Sequence, residues 1–511
     1  MPLTRRDLIK RAGAAGLVAG WPGLSLAQSG GGILRMPPLV DATTSRAFDL
    51  LARTGETNFL GQSATSTWGF NNQTFLGPTL RLAHNSLTKA SVRNGVSEPF
   101  SLHWHGLEIP GQADGGPHQP IATGATWAVD LNIDQPPATV WYHSHTHLRT
   151  ADHVQKGLAG VIQLTDGRDD ERGLPSDYGT DDLTLVIQDR RFDRSGRAVY
   201  DPGMHDRMMG FTGDVILVNG QYGAQAVVPK GIVRLRLLNG SNARIYNLAS
   251  RAGRTLHMVS TDTGFLDRPI AIDSLQLAPG ERAEVLLDFS DGTSDMLVSS
   301  SIANGGMMGG GMMGGGMMGG GMMGGSGGSF DILPISVDPS RRARIDRIPE
   351  GIGGTMPDLD IRGASRRDIA LQSGMGGMFR RRRNQHSING NSFEMDRLNF
   401  SVQRGATEIW AIDGQNMAHP FHVHGVRFQV LSENDGPVSS RNSGWKDTAL
   451  VNRRAEIAIR FDQPAPASTP FMFHCHILEH EDGGMMGQFS VVWPHVLPGR
   501  AIRYGLSPAA I

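Results

Sequence analysis

A single cysteine, Cys475, stands in 511 residues, and a lone thiol cannot close an intramolecular disulfide. The chain also lacks a charge of one sign: 48 basic side chains oppose 49 acidic ones. That balance removes the electrostatic case for nucleic acid as a partner. Beyond the N-terminal region no run approaches the ~20 uninterrupted apolar residues that cross a bilayer, so a soluble, non-spanning protein is expected. The length exceeds one ordinary core and implies about three domains, at roughly 100–200 residues each.

The N-terminus reads Thr4-Arg5-Arg6-Asp7-Leu8-Ile9-Lys10, then a weakly apolar stretch, then Ser25-Leu26-Ala27. Paired arginines, an apolar run and a small-residue site in that order resemble a twin-arginine export signal over residues 1–27. The expected location is the periplasm. Exported proteins usually use cysteines for disulfides, so Cys475 must serve something else.

Glycine is abundant and short runs such as "IVRLRLLN" and "AEIAIRF" alternate apolar with polar residues between turn-rich breaks. The pattern is that of an all-β sandwich protein. Three stretches look like copies of one unit: "NGVSEPFSLHWHG" from Asn94, "NGSNARIYNLAS" from Asn239 and "DGQNMAHPFHVHG" from Asp413. In the first and third, the turn lies nine residues before His103/His105 and His422/His424; in the second, those positions hold Leu248 and Ser250. A second pairing sets "DQPPATVWYHSH", ending in His143 and His145, against "DQPAPASTPFMFHCH", ending in His474 and His476. We therefore expect three consecutive homologous β-sandwiches, roughly 38–168, 180–345 and 360–500, with metal ligands confined to the outer two.

Residues i and i+2 of a strand project from one face about 6.6 Å apart. That is too far to chelate one ion and well suited to straddling two. One His-x-His pair is weak evidence; four of them in two related domains, beside a unique cysteine, point to a cluster of metal ions. In His474-Cys475-His476 the cysteine projects opposite to its neighbours, so one strand can join two separate sites covalently. Cys475 with His419, His480 and a weak axial Met485 has the composition of a blue-copper electron-transfer centre. His147 and His153 lie close to the second pair and read as polar neighbours.

At these motifs the sequence resembles the three-domain multicopper oxidases, whose copper-binding signatures match "HWHG", "HSH", "HPFHVHG" and "HCHILEHEDGGMM". The resemblance covers nearly the whole chain after residue 27. It implies three cupredoxin-like Greek-key domains and four copper ions. His419, Cys475, His480 and Met485 would bind type 1 copper, His103 and His422 type 2, and His105, His143, His145, His424, His474 and His476 the type 3 pair. It further implies one-electron oxidation of a donor at type 1 copper and four-electron reduction of dioxygen to water at the other three. Protons needed there call for carboxylates; Asp114 and Glu481 match the family's proton-relay positions.

Among such oxidases, the chain is most similar to periplasmic cuprous oxidases of copper tolerance, which also oxidise phenols. Thioether sulfur prefers Cu(I). Met307, Met308, Met312, Met313, Met317, Met318, Met322 and Met323, in the Met-Met-Gly repeat of Gly305–Gly325, are thus candidate Cu(I) ligands, with Met375, Met378 and Met417. Two features depart from that subgroup. The methionine-rich insert falls late in the second domain, and Gln415 stands where a carboxylate is expected. The basic run Arg380–Arg383 reads as a solvated loop. A monomer is expected.

Other readings are a laccase or bilirubin-oxidase-like enzyme with no dedicated cuprous role, a copper nitrite reductase, a copper-storage protein, or a non-enzymatic scaffold of the kind some family members supply in cell division. The eight imidazoles exceed what nitrite reductase needs, storage leaves Cys475 unexplained, and a scaffold should lack the ligands this chain keeps.

Overall fold

The computed structural model describes residues 31–300, 329–373, 386–415 and 417–494. The segment 1–27 read as an export signal, the Met-Met-Gly repeat, Met375, Met378 and Arg380–Arg383 lie outside the described residues. Six sheets pair into three sandwiches in chain order. In the first, five strands run Leu39–Asp41, Thr79–Ala83, Ala159–Thr165, Ala138–Ser144, Leu102–His103, over a four-stranded sheet centred on Ala47–Thr57 and Ser86–Gly95. The second combines a seven-stranded and a five-stranded sheet. The third pairs two five-stranded sheets, one ordered Phe400–Gln403, Met486–Val492, Phe471–Cys475, His419–Val423, Thr448–Val451. Each sandwich encloses its own apolar core, around Val92, Trp104 and Tyr142 in the first, Leu235 and Val285 in the second, Trp410 and Phe473 in the third.

The three sequence copies have the same local construction. The strand ending at each turn, Ser86–Gly95, Ile232–Asn239 or Thr407–Asp413, pairs in parallel with an upstream strand and antiparallel with a downstream one. The turn residue then accepts, through Oδ1, the backbone N–H two residues on: Val96 on Asn94 at 2.9 Å, Ser241 on Asn239 at 3.0 Å, Gln415 on Asp413 at 2.7 Å. These are Asx turns, which Asn and Asp favour because the short side chain can stand in for a backbone carbonyl.

Burial along the strands shows where the site lies. Ala47–Thr57 begins with strict alternation of exposed and buried residues, as for a sheet with one wet face. Ala138–Ser144, His419–Val423 and Phe471–Cys475 are buried at every position. One face of each packs on its own core and the other meets a neighbouring sandwich, where the histidines point. Among the described residues, no helix is long and apolar enough to cross a membrane.

Candidate metal centre

Strand register brings the motifs together. His103 pairs with His143 across two antiparallel strands of the first sandwich, and His422 with His474 in the third. In that second pair Cys475 opposes Phe421, so the period-2 alternation of the strand turns the thiol toward the third core and its flanking imidazoles toward the first sandwich. The eight imidazoles of His103, His105, His143, His145, His422, His424, His474 and His476 are all at most 1% exposed.

Three sets have nitrogens within 4.8 Å of one another: His103, His422 and His424; His105, His143 and His476; His145, His424 and His474. Each set spans the seam between the first and third sandwiches. Backbone carbonyls and a carboxylate settle which nitrogen carries hydrogen. His103 Nδ1 donates to the Asp114 carbonyl at 3.1 Å, His143 Nδ1 to Ser144 at 2.9 Å, His422 Nδ1 to Asp447 at 2.8 Å, and His474 Nδ1 to Cys475 at 3.1 Å. His424 Nδ1 donates to Asp114 Oδ2 at 2.8 Å. Each ring then presents an Nε2 lone pair to the interior. His105 is reversed: its Nε2 lies 3.1 Å from Asp447 Oδ1, and its buried Nδ1 has no hydrogen-bond partner.

These lone pairs face one another. Nε2 of His474 is 3.2 Å from Nε2 of both His145 and His424, and the Nε2 atoms of His103 and His422 are 3.4 Å apart. His143 Nε2 and both nitrogens of His476 are buried without a partner. Burial and neighbouring imidazoles hold His105, His143, His145, His422, His424 and His474 well below the ordinary histidine range, and burial lowers His476 to about 3. Neutral rings whose nitrogens converge in a buried site form a place for cations, and imidazole is a copper ligand. The residues fit the metal.

A fourth set, His419, Cys475 and His480, lies on the core side of the same strand. Cys475 Sγ is 3.3 Å from His419 Nδ1 and 3.7 Å from His480 Nδ1. His480 Nε2 donates to the Met208 carbonyl at 2.9 Å, which turns Nδ1 toward the sulfur. Met485 is wholly buried in the same cluster, and its carbonyl accepts the Cys475 N–H at 3.1 Å. Burial pushes the thiol well above its usual range, so an adjacent cation is what would make it a thiolate. Met417 packs at the margin of this cluster.

Both carboxylates singled out from sequence touch the imidazoles. Asp114 holds His424, and Glu481 lies 3.2 Å from His474 Nδ1 and 3.5 Å from His145 Nδ1. Burial, then the neighbouring Asp482, raises Glu481 well above the carboxylate range. His153 is buried behind the His143/His145 pair, 2.8 Å from Ser144 Oγ, and His147 packs on Phe393.

Sequence reasoning missed Asp447, which contacts His105 and His422, and His386, stacked 4.2 Å from His480. Neither lies in a histidine motif. Asp447 immediately precedes the strand that pairs with His419–Val423, but only the docked sandwiches bring it to His105.

The chain belongs to the multicopper oxidase family: family models described as "Multicopper oxidase" match residues 52–169, 174–308 and 369–493. Its three sandwiches are cupredoxin-like. It is similar to a bacterial laccase-like multicopper oxidase, CueO, from a lignin-degrading Ochrobactrum, described as having oxidase activity towards lignin model compounds and lignosulfonate: 39% identity, 90% of this chain and 100% of that one, TM-score 0.81. The McoA multicopper oxidase of Aquifex aeolicus matches at 29% identity, TM-score 0.77, over 90% of this chain and 99% of that one. Over 96% of its length the chain is also 34% identical to the cell division protein FtsP of Escherichia coli K12, of which 99% is covered.

Proposed function

We propose that this chain is a copper-dependent oxidase that takes electrons singly from a donor and delivers them to dioxygen. The observation that carries the reading is the set of eight buried imidazoles whose lone pairs converge, joined by His474-Cys475-His476 to a His₂Cys site on the opposite strand face. In this reading His419, Cys475, His480 and Met485 hold one type 1 copper, His103 and His422 a type 2 copper, and the remaining six imidazoles, in the sets His105/His143/His476 and His145/His424/His474, a type 3 pair. Bound copper supplies reversible one-electron chemistry and a place for dioxygen.

The chain's own residues do the rest. Backbone carbonyls and Asp114 fix the tautomers of His103, His143, His422, His424 and His474 so that each of these rings offers Nε2. Cys475 links the two sites through its own backbone, one residue from His474 and one from His476. Glu481, whose proton affinity burial raises, places a carboxyl within reach of the cluster to hold and pass a proton, and the sandwiches on either side exclude bulk water.

Candidate donors are Cu(I) and phenols. Met417 beside the type 1 set and the methionines of Gly305–Gly325 offer soft sulfur for Cu(I), while the lignin-model activity of the Ochrobactrum relative supports phenolic donors. Residues 1–27 read as a twin-arginine signal, which supports a periplasmic location, and the soft-sulfur methionines support a role in copper tolerance. A second reading, a cell-division protein without oxidase turnover, is favoured by FtsP relatives that align over nearly the whole chain. Loading the purified protein with copper and following oxygen uptake with Cu(I) and with a phenol separates them. About four coppers, a blue colour and uptake without accumulating peroxide are expected; a colourless chain that consumes no oxygen would sink the oxidase reading.

A further inference from the structure

The middle sandwich contributes no imidazole to the cluster, yet one of its turns forms a wall of it. The turn runs from Ala278 to Arg282, between the strands Ser274–Leu277 and Arg282–Asp288. Gly280 has φ +82°, and a Cβ there would lie 2.9 Å from the His476 ring. Two residues on, Arg282 is 1% exposed and spreads its guanidinium over all three sandwiches. It donates to the Thr139 carbonyl of the first at 3.1 Å and to the Gly280 and Asp262 carbonyls of its own at 2.9 Å each. Two further bonds go to both carboxylate oxygens of Asp447 in the third, at 2.8 and 2.6 Å. Asp262 reinforces the same point, its Oδ2 accepting the N–H groups of Asp447 and Thr448 at 3.3 and 3.2 Å and Lys446 Nζ at 3.0 Å.

This lock ends on a cluster histidine. Asp447 Oδ1, held by the guanidinium, faces His105 Nε2 at 3.1 Å. A carboxylate in that ion pair only accepts, so Nε2 carries the hydrogen and the Nδ1 lone pair is left for metal. The residue after His105 is shaped to the same pair: Gly106 has φ +91°, and a Cβ there would come within 2.7 Å of both Arg282 Nη2 and Asp447 Oδ2. The glycine of "HWHG" is therefore the space into which the middle domain's arginine fits.

We propose that Arg282 is a positioning residue for the cluster. Through Asp447 it selects the His105 tautomer, so the domain that carries no ligand decides whether the ligands of the other two are set for copper. The bidentate fork is what a lysine cannot reproduce. This inference rests on the copper-oxidase reading and deepens it.

Three variants test it in the full chain, each loaded with copper beside the wild type: Arg282→Met, Arg282→Lys, and the double variant Arg282→Met with Asp447→Asn. The readouts are copper per chain by metal analysis, affinity by chelator competition, and the thiolate-to-copper absorption of the Cys475 site as an internal control, since Arg282 touches none of its residues. Arg282→Met and Arg282→Lys are expected to keep the blue absorption while binding cluster copper about 10–100-fold more weakly. The double variant removes both charges and keeps an oxygen to accept from His105 Nε2, so it should recover cluster copper relative to Arg282→Met. It also keeps the test open if the single variant, with its unpaired buried carboxylate, does not fold. Unchanged cluster copper in the Arg282 variants, loss of cluster and blue copper together, or a double variant no better than Arg282→Met where the latter folds would each overturn the proposal. A wild-type chain that binds no copper would instead overturn the oxidase reading beneath it.

Discussion

At the scale of single residues, two side chains divide the chemistry. Cys475 is fully buried between His474 and His476, and its sulfur is shared with neither of their sites. Cys475→Ser is expected to remove the blue absorption and oxygen turnover while leaving the thermal unfolding midpoint within a few degrees, because serine differs by one atom. A blue, active variant would refute the ligand assignment. Glu481 sits against His145 and His474, and burial raises its carboxyl well above the usual carboxylate range. Replacing it by Gln keeps the shape and removes the exchangeable proton. Reoxidation by dioxygen should then slow by roughly 10²–10⁴-fold, while reduction of the blue site in anaerobic stopped flow is unchanged; equal slowing of both would mean a structural role. Cys475 was legible because a two-residue strand period and a unique thiol constrain chemistry directly, and Glu481 because it matches the proton-relay position of the family the sequence resembles. Asp447, Arg282 and His386 were not, because the contacts that join Arg282 to Asp447, Asp447 to His105 and His386 to His480 each span more than ninety residues, and a lone Asp, Arg or His outside a motif has many ordinary reasons to be present.

At the scale of elements, the strands carry the ligands and the loops set their orientation. The loop Ala113–Gly116 holds Asp114 between His103 and His424, and it can do so because Gly115 has φ +80° and sits where a Cβ would run into the Leu102 carbonyl. Gly115→Ala should cost at least about 1–2 kcal/mol from the left-handed backbone alone, and the forced shift should loosen His424. Lower stability in urea together with weaker cluster copper is the expected pair of results; lower stability with unchanged copper would separate the loop from the site. The Met-Met-Gly segment Gly305–Gly325 supplies a second test at this scale. Its deletion is expected to lower turnover on Cu(I) several-fold and leave phenol turnover equal or faster, measured as oxygen uptake. Undiminished Cu(I) turnover would remove any gathering role for its sulfurs. The three-fold repeat of Asn94, Asn239 and Asp413 was readable because a turn needs a side-chain acceptor at a fixed place. The middle domain's contact with the cluster was not, since the histidine pattern that marks the outer domains is what this one lacks.

At the scale of the whole molecule, the cluster makes stability depend on pH in a definite direction. In the copper-free chain the buried imidazoles of His105, His143, His145, His422, His424, His474 and His476 stay neutral well below their unfolded value of about 6.5. Below that pH the unfolded chain binds more protons, so stability is fully present above about 6.5 and falls as pH drops. Each such ring adds about 1.4 kcal/mol per pH unit to the slope. Glu108, Glu479, Glu481 and Asp482, all raised by burial, Glu108 and Asp482 to about 7 and Glu479 to about 6, act in the opposite sense, losing stability as pH rises, but they are outnumbered by the seven rings. Urea unfolding at pH 7 and pH 5 should show a steep loss for the copper-free protein and a shallower one for the loaded protein, whose rings are already occupied. Equal slopes would mean the rings are not neutral as placed. A final consequence follows from the seam itself. Each imidazole set joins residues 103–145 to residues 422–476, so a chain interrupted during synthesis anywhere before residue 422 has part of every set and the whole of none. Copper retention is thus a report of completion, since metal binds with full strength only to a molecule whose two ends have both been made and have found each other.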